Sequence, residues 1–327
     1  MENAFWQHYK EGQGHYYNSQ FVDAATQYEQ AMNTSNISPE KRLMAKYSLA
    51  SSLFVAGFYK EAITLFGEIY SGYPDDHQNL YYAFNAYERA IHVFVYLYTI
   101  DPDACDLDQM LVSVEDGLRW SSDCGNKRWR HVLLLDKSDI LAFQGRCSDA
   151  LDVAEEAYAM KKGAGGGYYA ASYIENISRF ARKLGYFDRA QQVIDELDPS
   201  RNDNYAMVLG LTEQLRLFMD ISPFQEARAL ETAKWIMRHA GEVQAPKRMF
   251  DAFGMCVLTF IRCMTYDDAL ISFDAQSRLY QAGHKELDTY FAWKIGRYTD
   301  RARNMLATQR AGKTNRRAKE LSELLSG

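Results

Sequence analysis

Five consecutive small residues, Gly163-Ala164-Gly165-Gly166-Gly167, form the stretch that most invites a chemical reading, since glycine backbones can close around a phosphate. Such a cradle needs a strand before it and a helix after it, with Lys-Ser or Lys-Thr following, so that N–H groups converge on the anion. Here a helical pattern ending at Lys161-Lys162 precedes the run and no such pair follows, which favours a link between helices. Asp101, Asp103, Asp106 and Asp108 imitate a calcium loop, but neither a glycine at its sixth position nor a glutamate at its twelfth is present. They suit a helix cap in an exposed loop. The histidines (His8, His15, His77, His92, His131, His239 and His284) are scattered, whereas zinc wants three or four ligands near one point. No Gly-x-Ser-x-Gly elbow, matched Cys–His motif, kinase signature or dinucleotide fingerprint occurs. The sequence therefore predicts no catalytic residue, no cofactor and no metal.

The elements that would position any site announce themselves by repetition. Gly57-Phe58-Tyr59-Lys60-Glu61-Ala62, Gly145-Arg146-Cys147-Ser148-Asp149-Ala150 and Gly185-Tyr186-Phe187-Asp188-Arg189-Ala190 share one Gly-x-[Phe/Tyr/Cys]-x-x-Ala pattern, each between two apolar-periodic helical stretches. Ser19 to Ala24 is a weaker copy, and Phe224-Gln225-Glu226-Ala227 and Tyr266-Asp267-Asp268-Ala269 continue the series without glycine. The one double-length interval, between Ala62 and Ala150, hides a degenerate unit over residues 80–122, which makes seven helix pairs. Twelve residues before the turn alanine, Gly12, Ala50, Ser138 and Ser178 supply a second small residue where paired helices cross; Leu215 and Val257 break that rule. Self-similarity of this period means stacked hairpins, each burying its apolar face against its neighbours.

These residues resemble the tetratricopeptide repeat family. Residues 43–74 fit best, with Ala50, Gly57, Tyr59, Ala62, Phe66 and Pro74 in place, and the likeness runs over residues 4–280. The resemblance implies an all-α, right-handed solenoid whose first helices line a concave groove for a peptide or a segment of a partner protein. Carried over by offset from the small residue, its ligand-facing positions are Trp6, Tyr9, Gln13, Tyr16 and Tyr17 in the first unit, and Met44, Tyr47, Ser51, Phe54 and Val55 in the second. In the fourth they are Val132, Leu135, Asp139, Ala142 and Phe143; in the fifth, Ser172, Glu175, Arg179, Arg182 and Lys183. The groove would be aromatic toward the N-terminus and basic around the fifth unit. The chaperone-tail clamp known in this family is not expected, because Tyr9, Gln13 and Ser48 occupy its Lys and Asn positions.

Composition sets the remaining bounds. Six prolines and no alternating β-branched run argue against a sheet, and 47% hydrophobic residues suffice for a continuous core. No apolar run follows Met1 and none is long enough to span a bilayer, so neither signal peptide nor membrane is expected. Five cysteines without a Cys-x-x-Cys pair suit reduced thiols in a cytoplasmic protein. Charge is uneven: residues 294–319 hold nine basic side chains against Asp300 alone, while residues 1–293 carry −12. The sequence thus divides into a solenoid over residues 1–284 and a basic capping helix and tail over 285–327. The basic arm is expected to meet an acidic protein surface, of its own or another chain, and nucleic acid is disfavoured as the ligand. Function is expected to be that of a non-enzymatic scaffold or adaptor; the alternative is a peptide-sensing regulatory subunit that gates a separate effector.

Overall fold

The computed structural model describes residues 2–72, 80–123, 130–164, 170–197, 204–282, 287–309 and 315–326. Gly165 to Gly167, Pro74, Cys124, His77, His284, Arg310 and Lys313 lie outside the described residues. The molecule is an all-α solenoid, with no strand among the described residues. Helices α1 (Glu2–Tyr17) and α2 (Phe21–Met32) form the first pair, α3 (Pro39–Ala56) and α4 (Tyr59–Gly72) the second, α5 (Leu80–Tyr98) and α6 (Leu107–Asp123) the third. Next come α7 (Arg130–Phe143) with α8 (Cys147–Ala164), α9 (Ala170–Lys183) with α10 (Phe187–Ile194), and α11 (Asn204–Asp220) with α12 (Glu226–His239). The seventh pair is α13 (Pro246–Arg262) and α14 (Tyr266–Gln281), followed by α15 (Asp288–Thr308) and α16 (Arg316–Leu324).

The repeated turn has one geometry. Gly57 ends α3 at φ 95°, with Phe58 N donating to Leu53 O at 2.9 Å and Gly57 N to Phe54 O at 3.1 Å. This paired closure of the last helical turn requires a left-handed residue, which glycine adopts without a Cβ clash. Gly145 and Gly185 repeat it, and Ser19 and Met264 hold the same conformation at φ 60° and 58°. The glycine-free copies of the first and seventh units therefore keep the turn and carry the left-handed strain on Ser19 and Met264.

Two register expectations need correction. In the sixth unit the buried turn alanine is Ala229, whose N–H donates to Gln225 O, while Ala227 is exposed. Five residues rather than three join α11 to α12, and this lengthened turn moved the pattern by two. In the degenerate third unit, Met110 takes the alanine's place, donating to Asp106 O. From Met110 onward the equivalent positions 110, 150, 190, 229 and 269 are 39 or 40 residues apart. The small-residue rule also has a physical reason: a Cβ on Gly12 would stand 2.9 Å from the Tyr28 ring. In the seventh pair the tight approach is at Gly254, where a Cβ would meet Gln276 and Tyr298 at 2.6 Å.

Helix α15 packs along α13 and α16 against α14, so the layered order continues past the seventh pair. Tyr290, Phe291, Ala302 and Leu306 bury the apolar stripe of α15, and Phe291 stacks on Phe250 at 4.3 Å. Asp106 caps α6 through Oδ1, accepting from Asp108 N and Gln109 N, which disposes of the calcium-like pattern.

The superhelix closes on itself. Gln244, just before α13, donates from its backbone N–H to Ser19 O at 2.8 Å; its side chain accepts from Val22 N and donates to Asp23. Phe21 meets Tyr205 edge-on at 5.6 Å, and a Cβ on Gly57 would lie 3.1 Å from Leu287. Leu43, Phe54, Phe250, Leu287 and Phe291 belong to one hydrophobic cluster, so the second unit and the C-terminal helices share a core. An open, continuous concave wall, as expected from the sequence, is not what results.

Candidate binding groove

The odd-numbered helices, first in each pair, face inward and divide the interior into three compartments. Nearest the N-terminus is a pocket of about 280 Å³ between α1 and α3, with Tyr28 behind it and Arg89 at its edge. Tyr9, Gln13, Tyr16, Tyr17, Tyr47, Ser48 and Ser51 line it. The Tyr9 hydroxyl bonds Ser48 Oγ at 3.2 Å, and its ring stacks on Phe5. Tyr47 meets Phe66 and Tyr82 edge-on, Tyr16 meets Phe21, and Tyr17 is 66% exposed. Each ring but the last is thus half held by the core, with its remaining face toward the pocket.

The middle compartment is a waist of only about 60 Å³, where α1, α3, α5, α7, α9, α11 and α13 converge. Phe54 is buried here between Tyr59, His92 and Tyr96. Arg248 crosses the axis, donating to Glu175 Oε1 at 2.5 Å and to the Tyr96 hydroxyl. Behind the waist, His92 is hydrogen-bonded to Asp136 beside Glu88, and both carboxylates are fully buried. Burial pushes the Glu88 carboxyl up to about 7, with Arg89 as the nearest opposing charge. Burial disfavours charge on His92, but Asp136 overrides it and raises the imidazole above its usual range.

The third compartment is a cavity of about 690 Å³ lined from α5, α7, α9, α11, α13 and α15. Nine cationic and four anionic side chains face it. Arg179 pairs with Asp139, Arg182 with Asp220 at 2.6 Å, Arg216 with Glu213, and Lys294 with Asp251 at 3.4 Å. Burial alone would raise the carboxyls, yet Lys294, Arg216 and Lys247 hold Asp251 down at about 2, and Arg216, Arg182 and Arg179 lower Glu213. Lys247 is 7% exposed and lies 4.4 Å from the Tyr96 ring centre, feeling Asp251 and Glu175 without a salt bridge to either. Burial, then Arg248, lowers its ammonium to about 7.

The sequence-derived residues therefore separate. Tyr9, Tyr16, Tyr17 and Tyr47 come together in the aromatic pocket; Trp6 sits beyond it, 36% exposed, with Lys41 over its ring at 5.7 Å. Phe54 is in the waist, shared by Tyr16, and Glu175 stands between waist and basic cavity. Arg179, Arg182 and Lys183 line the basic cavity. Sequence reasoning missed Lys247, Arg248, Arg216 and the α15 face of Trp293, Lys294, Arg297 and Arg301. The same offsets applied to the sixth and seventh units reach Arg216, Asp220, Asp251 and Leu258, all of which line this cavity. The spacing of Trp293, Arg297 and Arg301 by four residues marks one helical face.

The basic arm is partly accounted for within the chain. Besides Lys294, Arg317 pairs with Asp267 at 2.8 Å, and Arg303 donates to Leu325 O. Among the described residues no helix is long and apolar enough to cross a membrane, and no cluster of metal-ligating side chains occurs.

No protein-family model and no curated protein sequence matches the chain. Its fold aligns with the crystal structure of a Rap protein complexed with Competence and Sporulation Factor at TM-score 0.62 and 10% identity, covering 86% of this chain and 76% of that one. A second alignment is to the Rap conjugation gene regulator of the plasmid pLS20 in complex with the Phr* peptide, at TM-score 0.61 and 12% identity, with the same coverage. A thermophilic TPR protein of Thermus thermophilus aligns at TM-score 0.43 and 18% identity over 73% of this chain and 98% of that one. The stacked hairpins, the left-handed turn that five of them share and the fold-level alignments to the Rap structures make the chain an all-α solenoid.

Proposed function

We propose that this protein is a non-enzymatic interaction module that grips a peptide or a segment of a partner protein on its inner wall, with the aromatic pocket as the seat. The observation that carries the reading is the set of four tyrosines, Tyr9, Tyr16, Tyr17 and Tyr47, held around one accessible pocket on a solenoid. Rings already positioned by the core lose little rotational freedom on binding and offer apolar faces with polar tips. For a single segment to reach Glu175, Arg179, Arg182 and Lys183 as well, the Arg248–Glu175 pair must open.

A second reading, a peptide-sensing regulatory subunit for a separate effector, is favoured by the position of Tyr16. Its ring lies against Phe21, which touches Tyr205, and Gln244 clasps the adjoining turn. A ligand that moves Tyr16 would pull on the contact that closes the ring. In the Rap structures, one neighbour is named as a gene regulator in complex with a peptide.

Selection of a random peptide library on the purified chain, followed by anisotropy on the winners, tests the proposal. We expect peptides with an aromatic or aliphatic anchor, and loss of binding of about tenfold or more in Tyr9→Ala/Tyr47→Ala. Binding that survives this double variant unchanged, in a chain still folded, would remove the pocket from consideration. Capture of an intact partner only, without short peptides, would favour the scaffold over the sensor.

A further inference from the structure

The basic cavity is cut off from the aromatic pocket by the closed waist and is short of negative charge. Its four acids are each engaged by an arginine or lysine: Glu175 by Arg248, Glu213 by Arg216, Asp220 by Arg182 and Asp251 by Lys294. Four cations on the wall have no carboxylate partner among the described residues: Lys183, Lys247, Arg297 and Arg301. Lys247 is the informative one, being more than nine-tenths buried. Its Nζ lies over the faces of Tyr96 and Tyr290, at 4.4 and 5.1 Å, and within the field of Asp251 and Glu175 without a salt bridge to either. It also stands at the second position of α13, where the helix dipole is positive and repels a cation. The Nε atoms of Arg179, Arg182 and Arg248 are buried without a hydrogen-bond partner as well. A buried cation is expected to be paired, and Lys247 makes no salt bridge among the described residues, while Lys183, Arg297 and Arg301 are exposed at the mouth.

We propose that this cavity, between α9, α11, α13 and α15, is a binding site for a small polyphosphate ligand whose oxygens would meet Lys247 on the floor and Lys183, Arg297 and Arg301 at the mouth. Charge selects the class. A single carboxylate neutralises one of the four spare cations, whereas a di- or triphosphate neutralises most of them. Arginine forks also match phosphate oxygens in paired hydrogen bonds. The volume of about 690 Å³ falls in the range of small-ligand sites, and the waist stops a polypeptide from threading through. Two sources share this chemistry, inorganic polyphosphate and a nucleoside polyphosphate. For the latter, Trp293, 50% exposed at the cavity wall, offers a ring face.

The test uses the purified full chain, with calorimetric titration and thermal unfolding against pyrophosphate, tripolyphosphate, ATP and a hexaglutamate peptide. We expect saturable binding that tightens from pyrophosphate to tripolyphosphate. ATP tighter than tripolyphosphate identifies the nucleoside source, and equal affinities identify the inorganic one. Lys247→Met carries the argument, because it should act with opposite signs. The ligand-free variant should melt at a higher temperature than the parent, since a buried unpaired charge is gone, while tripolyphosphate affinity falls about tenfold or more. Arg301→Gln, at an exposed position, keeps the test valid should Lys247→Met misfold; there we expect a loss of about threefold. Absence of saturable binding at about 1 mM polyphosphate, affinity unchanged in both variants, or hexaglutamate binding as tightly as tripolyphosphate would each overturn the proposal.

Discussion

On either side of the waist the same inward face of the solenoid carries opposite chemistry. The aromatic pocket holds five tyrosines, Tyr28 at the back included, and a single charged neighbour, Arg89, while the basic cavity sets nine cations against four anions. Both come from corresponding helices of the repeat, so the fold decides which positions point inward and leaves their chemistry free. The two regions differ in what they lack. Tyr9, Tyr16 and Tyr47 have ring partners within the chain and are stable empty. The cavity beyond the waist keeps Lys247 in a dry place without a salt bridge among the described residues, a condition that an anion would relieve.

The largest expected effect comes from breaking the boundary between the two. Arg248→Met removes the cation opposite buried Glu175 and should destabilise the protein by about 3–5 kcal/mol, measured by urea unfolding. Adding Glu175→Gln should recover most of that loss, because the stranded charge disappears with it. A single variant that costs under about 1 kcal/mol would mean that the waist is held by packing around Phe54 rather than by this pair.

How much of this was legible in the sequence follows from what each level depends on. Local rules placed the hairpins, because a left-handed residue and a following alanine are demanded within a few residues of each other. That is why Gly57, Gly145 and Gly185 marked true turns. The sixth turn misled, since Ala227 and Ala229 both satisfy a small-residue pattern and only the longer connection distinguishes them. Closure of the ring was not legible, because the Gln244 clasp to Ser19 and Val22 joins residues more than two hundred positions apart. The candidate site was half legible for the same reason. Offsets within a unit located Tyr9, Tyr47, Arg179 and Arg182, but the pairing of Arg248 with Glu175 and Tyr96 depends on how far the superhelix turns.

The buried cluster behind the waist gives an effect of intermediate size and a defined pH window. Glu88 holds its proton up to about 7, against 4.5 for a free glutamate. The folded chain therefore binds more protons than the unfolded one between these values, and the stability Glu88 contributes at low pH is lost as pH rises through 7. Glu88→Gln should flatten this part of the profile and raise stability at pH 8 by an amount on the order of 2 kcal/mol. Denaturant melts of both proteins from pH 4 to pH 8 would decide it. A parallel pair of profiles would place the pH dependence in His92 and Asp136 instead.

The smallest effect on stability should accompany one of the larger effects on binding, at Tyr17. Its ring is 66% exposed and has Tyr16 at 6.5 Å, edge-on, as its aromatic neighbour. Little area leaves the core in Tyr17→Ala, and unfolding should shift by less than about 0.5 kcal/mol. A segment seated among Tyr9, Tyr16 and Tyr47 would nonetheless cover that ring, and losing it should weaken a library-selected peptide by about tenfold. The same variant should leave tripolyphosphate binding untouched, because the waist lies between Tyr17 and the basic cavity. If instead both ligands weaken together, the two compartments are coupled through the ring contact at Phe21 and Gln244, and the separation drawn between them describes only the closed form.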